Sequence, residues 1–255
     1  MIEIKDLEKS FGENKVLKGI SSVFETGKTN LIIGQSGSGK TVLLKTLLGI
    51  HEPSAGTIVF DGRDYAHLSR DEKRALRTEI GMVFQGSALF DSMTVAENVA
   101  FPLKMFTKNS RSEIHERVNF VLKRVNLIDA HHKLPSEISG GMQKRVAIAR
   151  AIVNKPKYLF CDEPNSGLDP NTSTLIDNLI MEITEEYDIT TVINTHDMNS
   201  VMEIGQNILF LKNGVKAWQG NKDEMFITEN EAVVDFVYSS NLFKKVREAY
   251  LKDKK

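Results

Sequence analysis

Two apolar periods alternate along this chain. Short runs in which apolar residues are consecutive or alternate, each ending at a polar residue or glycine, read as strands. These are Ile2-Glu3-Ile4, Val16 to Phe24, Leu31-Ile32-Ile33, Thr57 to Phe60, Ile80 to Phe84, Tyr158 to Cys161 and Thr190 to Asn194. Longer segments carry apolar residues at helical spacing, as Ile114, Val118, Val121, Leu122 and Val125 do within Ser110 to Val125. Helices are also predicted from Val42 to near Gly49, from Ser69, over Thr94 to Lys104, from Ser139 to Val153 and over Asn171 to Tyr187. Pro102 should end the Thr94 helix at or soon after itself. Ile208 to Leu211 and Val215 to Trp218 predict a hairpin around Asn213-Gly214. The strands and helices interleave, so the fold class is α/β, and the all-helical stretch from about 90 to 155 reads as an inserted subdomain.

Composition changes this picture little. The chain has 255 residues, 41% of them hydrophobic, enough for an ordinary globular core. Its net charge of -1 comes from mixed signs, which argues against nucleic acid as the main partner. The one cysteine, Cys161, excludes an internal disulfide and sits beside Leu159 and Phe160, where a buried small hydrophobe is expected. No apolar run is long enough to span a bilayer, and Met1 to Lys5 does not read as a signal peptide, so a membrane role would act through a partner.

The chemistry centres on Gly34-Gln35-Ser36-Gly37-Ser38-Gly39-Lys40-Thr41, which fits G-x-x-x-x-G-K-[ST] between a strand and a helix. Glycines let successive N–H groups turn inward on phosphate oxygens, and the following helix adds its positive end. Lys40 is expected to reach the outer phosphates and Thr41 to hold Mg²⁺. Asp162 ends an apolar strand and suits the second Mg²⁺ contact; Glu163 follows it and can act as base on the attacking water. Gln85 ends another strand and could sense Mg²⁺ or water. His196 follows Thr190 to Asn194 and emerges at the same sheet edge, where the γ-phosphate reading competes with a structural or merely exposed histidine. Phe11 has two readings, a base-stacking aromatic or a packing residue at a strand end.

In their order, these residues resemble the nucleotide-binding domain of ABC (ATP-binding cassette) transporters. Gly34 to Thr41 is similar to the family's Walker A motif, Gln85 to its Q-loop glutamine, and Ile138-Ser139-Gly140-Gly141-Met142 to its signature motif. Tyr158 to Asp162 resembles Walker B, with the catalytic glutamate at Glu163; Ser166-Gly167-Leu168-Asp169 resembles the D-loop, and His196 the switch histidine. Phe11 would be the base-stacking aromatic. The usual signature is Leu-Ser-Gly-Gly-Gln; here Ile138 comes first, Met142 fifth and Gln143 one place later, while Ser139-Gly140-Gly141 is kept.

The resemblance implies a P-loop NTPase with a mostly parallel core sheet, an antiparallel β subdomain and an inserted helical subdomain. From the residues alone, 221 to 255 read as a helical tail; the resemblance implies ATP and Mg²⁺ as cofactors and an ATPase domain over residues 1 to 220. It also implies a head-to-tail homodimer in which ATP lies between one Walker A and the partner's Ser139-Gly140-Gly141. Integral membrane permease subunits would be driven by closing and opening of that dimer, with the cassette peripheral on the cytoplasmic face of a bacterial inner membrane.

Three stretches resemble cassettes of the Mla (maintenance of lipid asymmetry) type: Gln85 to Phe90, Thr94 to Leu103, and Ser136 to Met142. That likeness implies phospholipid transport and a lipid-binding periplasmic partner reached through the permease. Amino-acid and methionine importers share the Thr-Val-x-x-Asn-Val part. A cell-division type of cassette is an open alternative; a soluble repair or translation ATPase would need a coiled-coil insertion or two fused cassettes. The apolar residues of 231 to 251 predict two short helices around Ser239-Ser240-Asn241, packing either on the cassette's own sheet or, through Leu242 to Leu251, on the opposite cassette.

Overall fold

The computed structural model describes residues 1–238 together with Lys245 and Arg247. Their contacts gather into two units, Met1–His67 with Ile193–Lys255, and Leu68–Val192. The second tail helix expected over Leu242 to Leu251 lies outside the described residues, apart from Lys245 and Arg247.

The first unit opens with an antiparallel sheet. Strands β1 (Ile2–Phe11), β2 (Asn14–Phe24), β4 (Ala55–Phe60) and β5 (Arg63–Asp64) lie in the order β2-β1-β4-β5. Ile2, Ile4, Leu7, Leu17, Ile20, Ile58 and Phe60 are buried from it. β1 and β2 are longer than their apolar cores suggest, because register shifts after Ile4, Leu7 and Lys9 let the pairing continue through polar residues. Between β2 and β4, β3 (Thr29–Ile33) is buried at every position and leads into the glycine loop and α1 (Lys40–Leu47).

The second unit begins with α2 (Arg70–Thr78) and β6 (Ile80–Val83). Helices α3 (Val95–Phe106), α4 (Arg111–Arg124) and α5 (Gly140–Ile152) follow. β7 (Tyr158–Asp162) pairs in parallel with β6, from Ile80 opposite Tyr158 to Val83 opposite Cys161. Cys161 is a free, buried thiol as expected, and burial pushes its pKa up. Then come α6 (Pro170–Glu186) and β8 (Thr190–Asn194), whose residues are all buried.

α3 ends soon after Pro102, as expected, two residues beyond the expected Lys104. The helix continues to Phe106, with Thr107 N–H closing on Leu103 O at 3.0 Å. Proline removes one in-helix donor, but Val95, Val99, Ala100 and Leu103 are buried on one face, and the Phe101 ring lies 4.7 Å from Phe90. That packing carries the helix the few residues past the proline.

The chain then re-enters the first unit with α7 (Met198–Ile204), β9 (Asn207–Lys212), β10 (Val215–Gly220), α8 (Lys222–Ile227) and α9 (Glu231–Val237). β9 pairs in parallel with β3 and antiparallel with β10. Asn213 (φ 54°) and Gly214 (φ 82°) make the hairpin turn with the positive φ pair its type requires. The tail is helical from Lys222 but broken at Thr228 to Asn230, where Asn230 caps α9 through Val233 N–H. Phe236 stacks on Phe210 at 5.0 Å, so α9 packs on this unit's own strands.

Candidate functional site

In the first unit, the end of β3 hands the chain to a loop that only glycine can make. Gly34 has φ 149°, and a Cβ there would collide with Leu211 O and Ser38 Oγ. Gly37 (φ 79°) and Gly39 (φ 104°) complete the turn, and Ser38 N–H closes on Gln35 O at 3.1 Å. The Asn213-Gly214 turn braces it, Gly214 N–H donating to Ser38 O at 3.2 Å.

Gly39 caps α1 and has no side chain to offer its N–H groups; no acid lies in the first turn either. Those donors and the helix dipole face the loop unneutralised. Lys40 is 8% exposed, its Nζ donating to Gly34 O at 2.9 Å and Gln35 O at 3.2 Å. The buried Ser38 Oγ has no hydrogen-bond partner. A buried cation, an unpartnered hydroxyl and an uncapped helix end are together the complement of a phosphate.

Thr41 Oγ1 accepts from Asn194 Nδ2 at 3.3 Å. β8 delivers that asparagine, and Thr195 N–H donates to Ile32 O at 3.2 Å, which sets the end of β8 beside β3 within this unit. His196 follows and is exposed. Phe11 ends β1 at 45% exposure, edge-on to His51 at 5.1 Å and with Lys9 Nζ 5.0 Å from its ring centre. Enough of the ring is open for a base to lie against it.

In the second unit, β7 ends at Asp162 and the chain kinks. Glu163 has φ 46°, a conformation strained for a side chain of its size and one that re-aims the carboxylate. Gln85 lies just past β6, the strand paired with β7, and its Nε2 donates to Glu163 Oε2 at 2.9 Å. Ser166 Oγ accepts from the same nitrogen at 3.4 Å. Three sequence-predicted segments therefore meet here: the glutamine, the acid pair and the following Ser-Gly-Leu-Asp.

Ser139 is the cap of α5, its Oγ accepting from Met142 N–H at 3.3 Å. Gly141 allows close approach, since a Cβ there would meet Thr172 Cγ2 at 2.7 Å. Asp169 caps α6 through Thr172, whose hydrogen bonds hold its carboxyl below the usual range. Gln143 turns its amide to Pro135 O at 3.0 Å, a structural tie.

The sequence did not single out Asn194, Lys144 or Arg150. Asn194 is a polar end to an apolar strand, a weak signal. Lys144 and Arg150 are cations within the buried part of α5, flanked by Val146, Ala147 and Ile148. Cations among apolar helix positions are the signal that could have found them.

A family profile described as ABC transporter matches residues 17–166. The chain is 40% identical over 235 residues to "Probable ribonucleotide transport ATP-binding protein mkl" of Mycobacterium leprae, covering 91% of this chain and 67% of that protein. It is 39% identical over 257 residues to "Methionine import ATP-binding protein MetN" of Campylobacter jejuni, covering 94% and 76%. The chain spans about two thirds of the mycobacterial protein and about three quarters of the Campylobacter one. Among solved structures, a dimeric ATP-binding cassette in a post-hydrolysis state bound to ADP and Pi is 33% identical with TM-score 0.77, covering 87% of this chain and 99% of that one. The ordered motifs, the uncapped glycine loop and these likenesses agree: the chain belongs to the ABC transporter family as an ATP-binding cassette, an ATPase.

Proposed function

We propose that this cassette energises phospholipid transport between the inner and outer membranes of a bacterium. Residues 1 to 220 act as the ATPase domain and 221 to 255 as a helical tail. Lys40 and the N–H groups of the glycine loop bind the β- and γ-phosphates, and Phe11 stacks on the base. Thr41, Asp162 and Gln85 offer neutral or anionic oxygens, the donor chemistry that Mg²⁺ prefers. Mg²⁺, when bound, supplies positive charge to the phosphates. Glu163 takes a proton from the attacking water, and His196 donates to the γ-phosphate. The hydrogen bond from Gln85 to Glu163 supports this role, since it orients the carboxylate.

Two copies complete the site head to tail, with Ser139-Gly140-Gly141 of one capping the nucleotide of the other. The cassette is peripheral on the cytoplasmic face of the membrane and drives integral permease subunits. A cleft in the second unit, lined by Phe84, Phe90, Phe101, Met105 and Phe106, supports a permease partner. Four of these residues, all but Phe101, are large hydrophobics left exposed. A lipid-binding periplasmic partner completes the route.

The lipid reading is carried by three stretches, Gln85 to Phe90, Thr94 to Leu103 and Ser136 to Met142, and most directly by Met142 after Ser-Gly-Gly. A second reading, import of a small polar solute, is favoured by the relative named for methionine import. Affinity capture of the cassette from its native membranes, followed by reconstitution with the permease it brings, separates the two. Phospholipid should stimulate ATP hydrolysis by the complex. Stimulation only by a small solute with its binding protein, or by a cell-division partner, would overturn the lipid reading.

A further inference from the structure

Lys144 is 5% exposed, yet its ammonium has no carboxylate at salt-bridge distance among the described residues. Its Nζ donates instead to the main-chain carbonyl of Gln85. Burial lowers its pKa, and the Glu163 carboxylate, close enough to be felt, opposes that shift. Six residues along the same helix, buried Arg150 donates to Ser87 O and Ala88 O, each at 2.7 Å. Ser87 (φ 61°) and Ala88 (φ 47°) are both left-handed without being glycine, so this turn is strained and needs holding. Two cations of α5 thus pin three carbonyls of the segment that carries Gln85, and α5 begins at Ser139-Gly140-Gly141.

A buried ammonium carries a desolvation cost that an apolar residue of similar length would avoid. Arg150 alone already ties the strained turn to the helix. What Lys144 adds is specific to the residue whose side chain holds Glu163. We propose that Lys144 is a positioning residue for ATP hydrolysis: it fixes the Gln85 main chain so that the Gln85 amide stays on the Glu163 carboxylate. It thereby joins the helix that starts at Ser139 to the group that acts on water. This rests on the reading of Glu163 as the base.

The test is a cycle on the full chain in its ATP-dependent assembly. Lys144→Met keeps length and removes the donor. It should lower kcat about tenfold while KM and nucleotide affinity stay within about twofold, the pattern of an interaction that serves the chemical step. Gln85→Ala should lower kcat too, and adding Lys144→Met to it should cost little more, since the lysine acts through that side chain. Lys144→Arg, which can still donate to the carbonyl, should recover part of the loss, and it stands in if the methionine variant misfolds. A wild-type kcat in Lys144→Met would overturn the proposal. So would an equal further loss in the Gln85→Ala background, which marks a merely structural lysine. Glu163→Gln, run alongside, judges the base separately: if it still turns over, that reading fails, and the cycle alone decides whether Lys144 acts through Gln85.

Discussion

Helices α1 and α4 begin in opposite ways. Ser110 caps α4, its Oγ accepting from Glu113 N–H at 3.3 Å, while Glu113 Oε2 accepts from Ser110 N–H at 2.6 Å. The chain satisfies that helix end with its own side chains. α1 begins at Gly39 with no side-chain cap and no first-turn acid. A helix N-terminus that carries its own anion is finished; one that lacks it is a receptor for someone else's. α5 lies between the two, since Ser139 satisfies Met142 N–H and no acid occupies the first turn. The difference separates scaffold from site without reference to any bound molecule.

The largest effect expected is at the open end. Lys40→Ala removes the cation that belongs to α1's uncapped N-terminus, and ATP affinity should fall by about a hundredfold or more. A fluorescent-nucleotide titration measures it, and near wild-type affinity would mean that the open helix end alone suffices. Glu163→Gln should be comparable in rate but not in binding. Turnover should drop roughly a hundredfold or more, with affinity kept and an ATP-bound dimer accumulating in size-exclusion chromatography. Together they separate the phosphate receptor from the group that acts on water.

The half-open end gives the next effect. Ser139→Arg fills the start of α5 with bulk and should abolish most hydrolysis while the isolated chain still binds nucleotide. Mixed with Lys40→Ala, the mixed dimer should regain up to about half of the wild-type dimer's rate, because in one of its two sites an intact glycine loop then meets an intact Ser139. No recovery in a well-assembled mixture would break the head-to-tail arrangement.

How much of this was readable in the chain follows from range. The glycine loop is local, spanning a few residues, so its spacing alone announces it. The hairpin at Asn213-Gly214 is local as well. The contacts that tune the site are not. Lys144 reaches Gln85 across 59 residues and Asn194 reaches Thr41 across 153, and no periodicity encodes either. The two residues that α3 adds beyond the expected Lys104 have the same origin, since the burial of Val99 and Leu103 comes from elsewhere in the chain. The strain at Glu163 was equally hidden, since a glutamate after an apolar strand predicts position and not φ.

The smallest effect should come from the filled end, and it is the one that tests whether filled ends are scaffold only. Ser110→Ala removes the oxygen that accepts from Glu113 N–H and should destabilise the protein by about 1 kcal/mol. For a chain of this size that corresponds to a fall of roughly 2–4 °C in Tm. Nucleotide affinity and kcat should not move. The pH dependence has a defined sign. The hydrogen bonds from Ser110 hold the Glu113 carboxyl below its ordinary 4.5, so the capping contribution is present above that value and is lost as pH falls through the lowered one. The Ser110 N–H that donates to the Glu113 carboxylate is main chain and survives the substitution, so both proteins should lose stability in acid and the gap between them should narrow only in part, read by thermal melts across that range. A gap in Tm that closes completely at low pH would show that the serine acts only through its glutamate. A loss of ATPase activity at neutral pH would place this helix start in the working part of the cassette and break the division between open and filled ends.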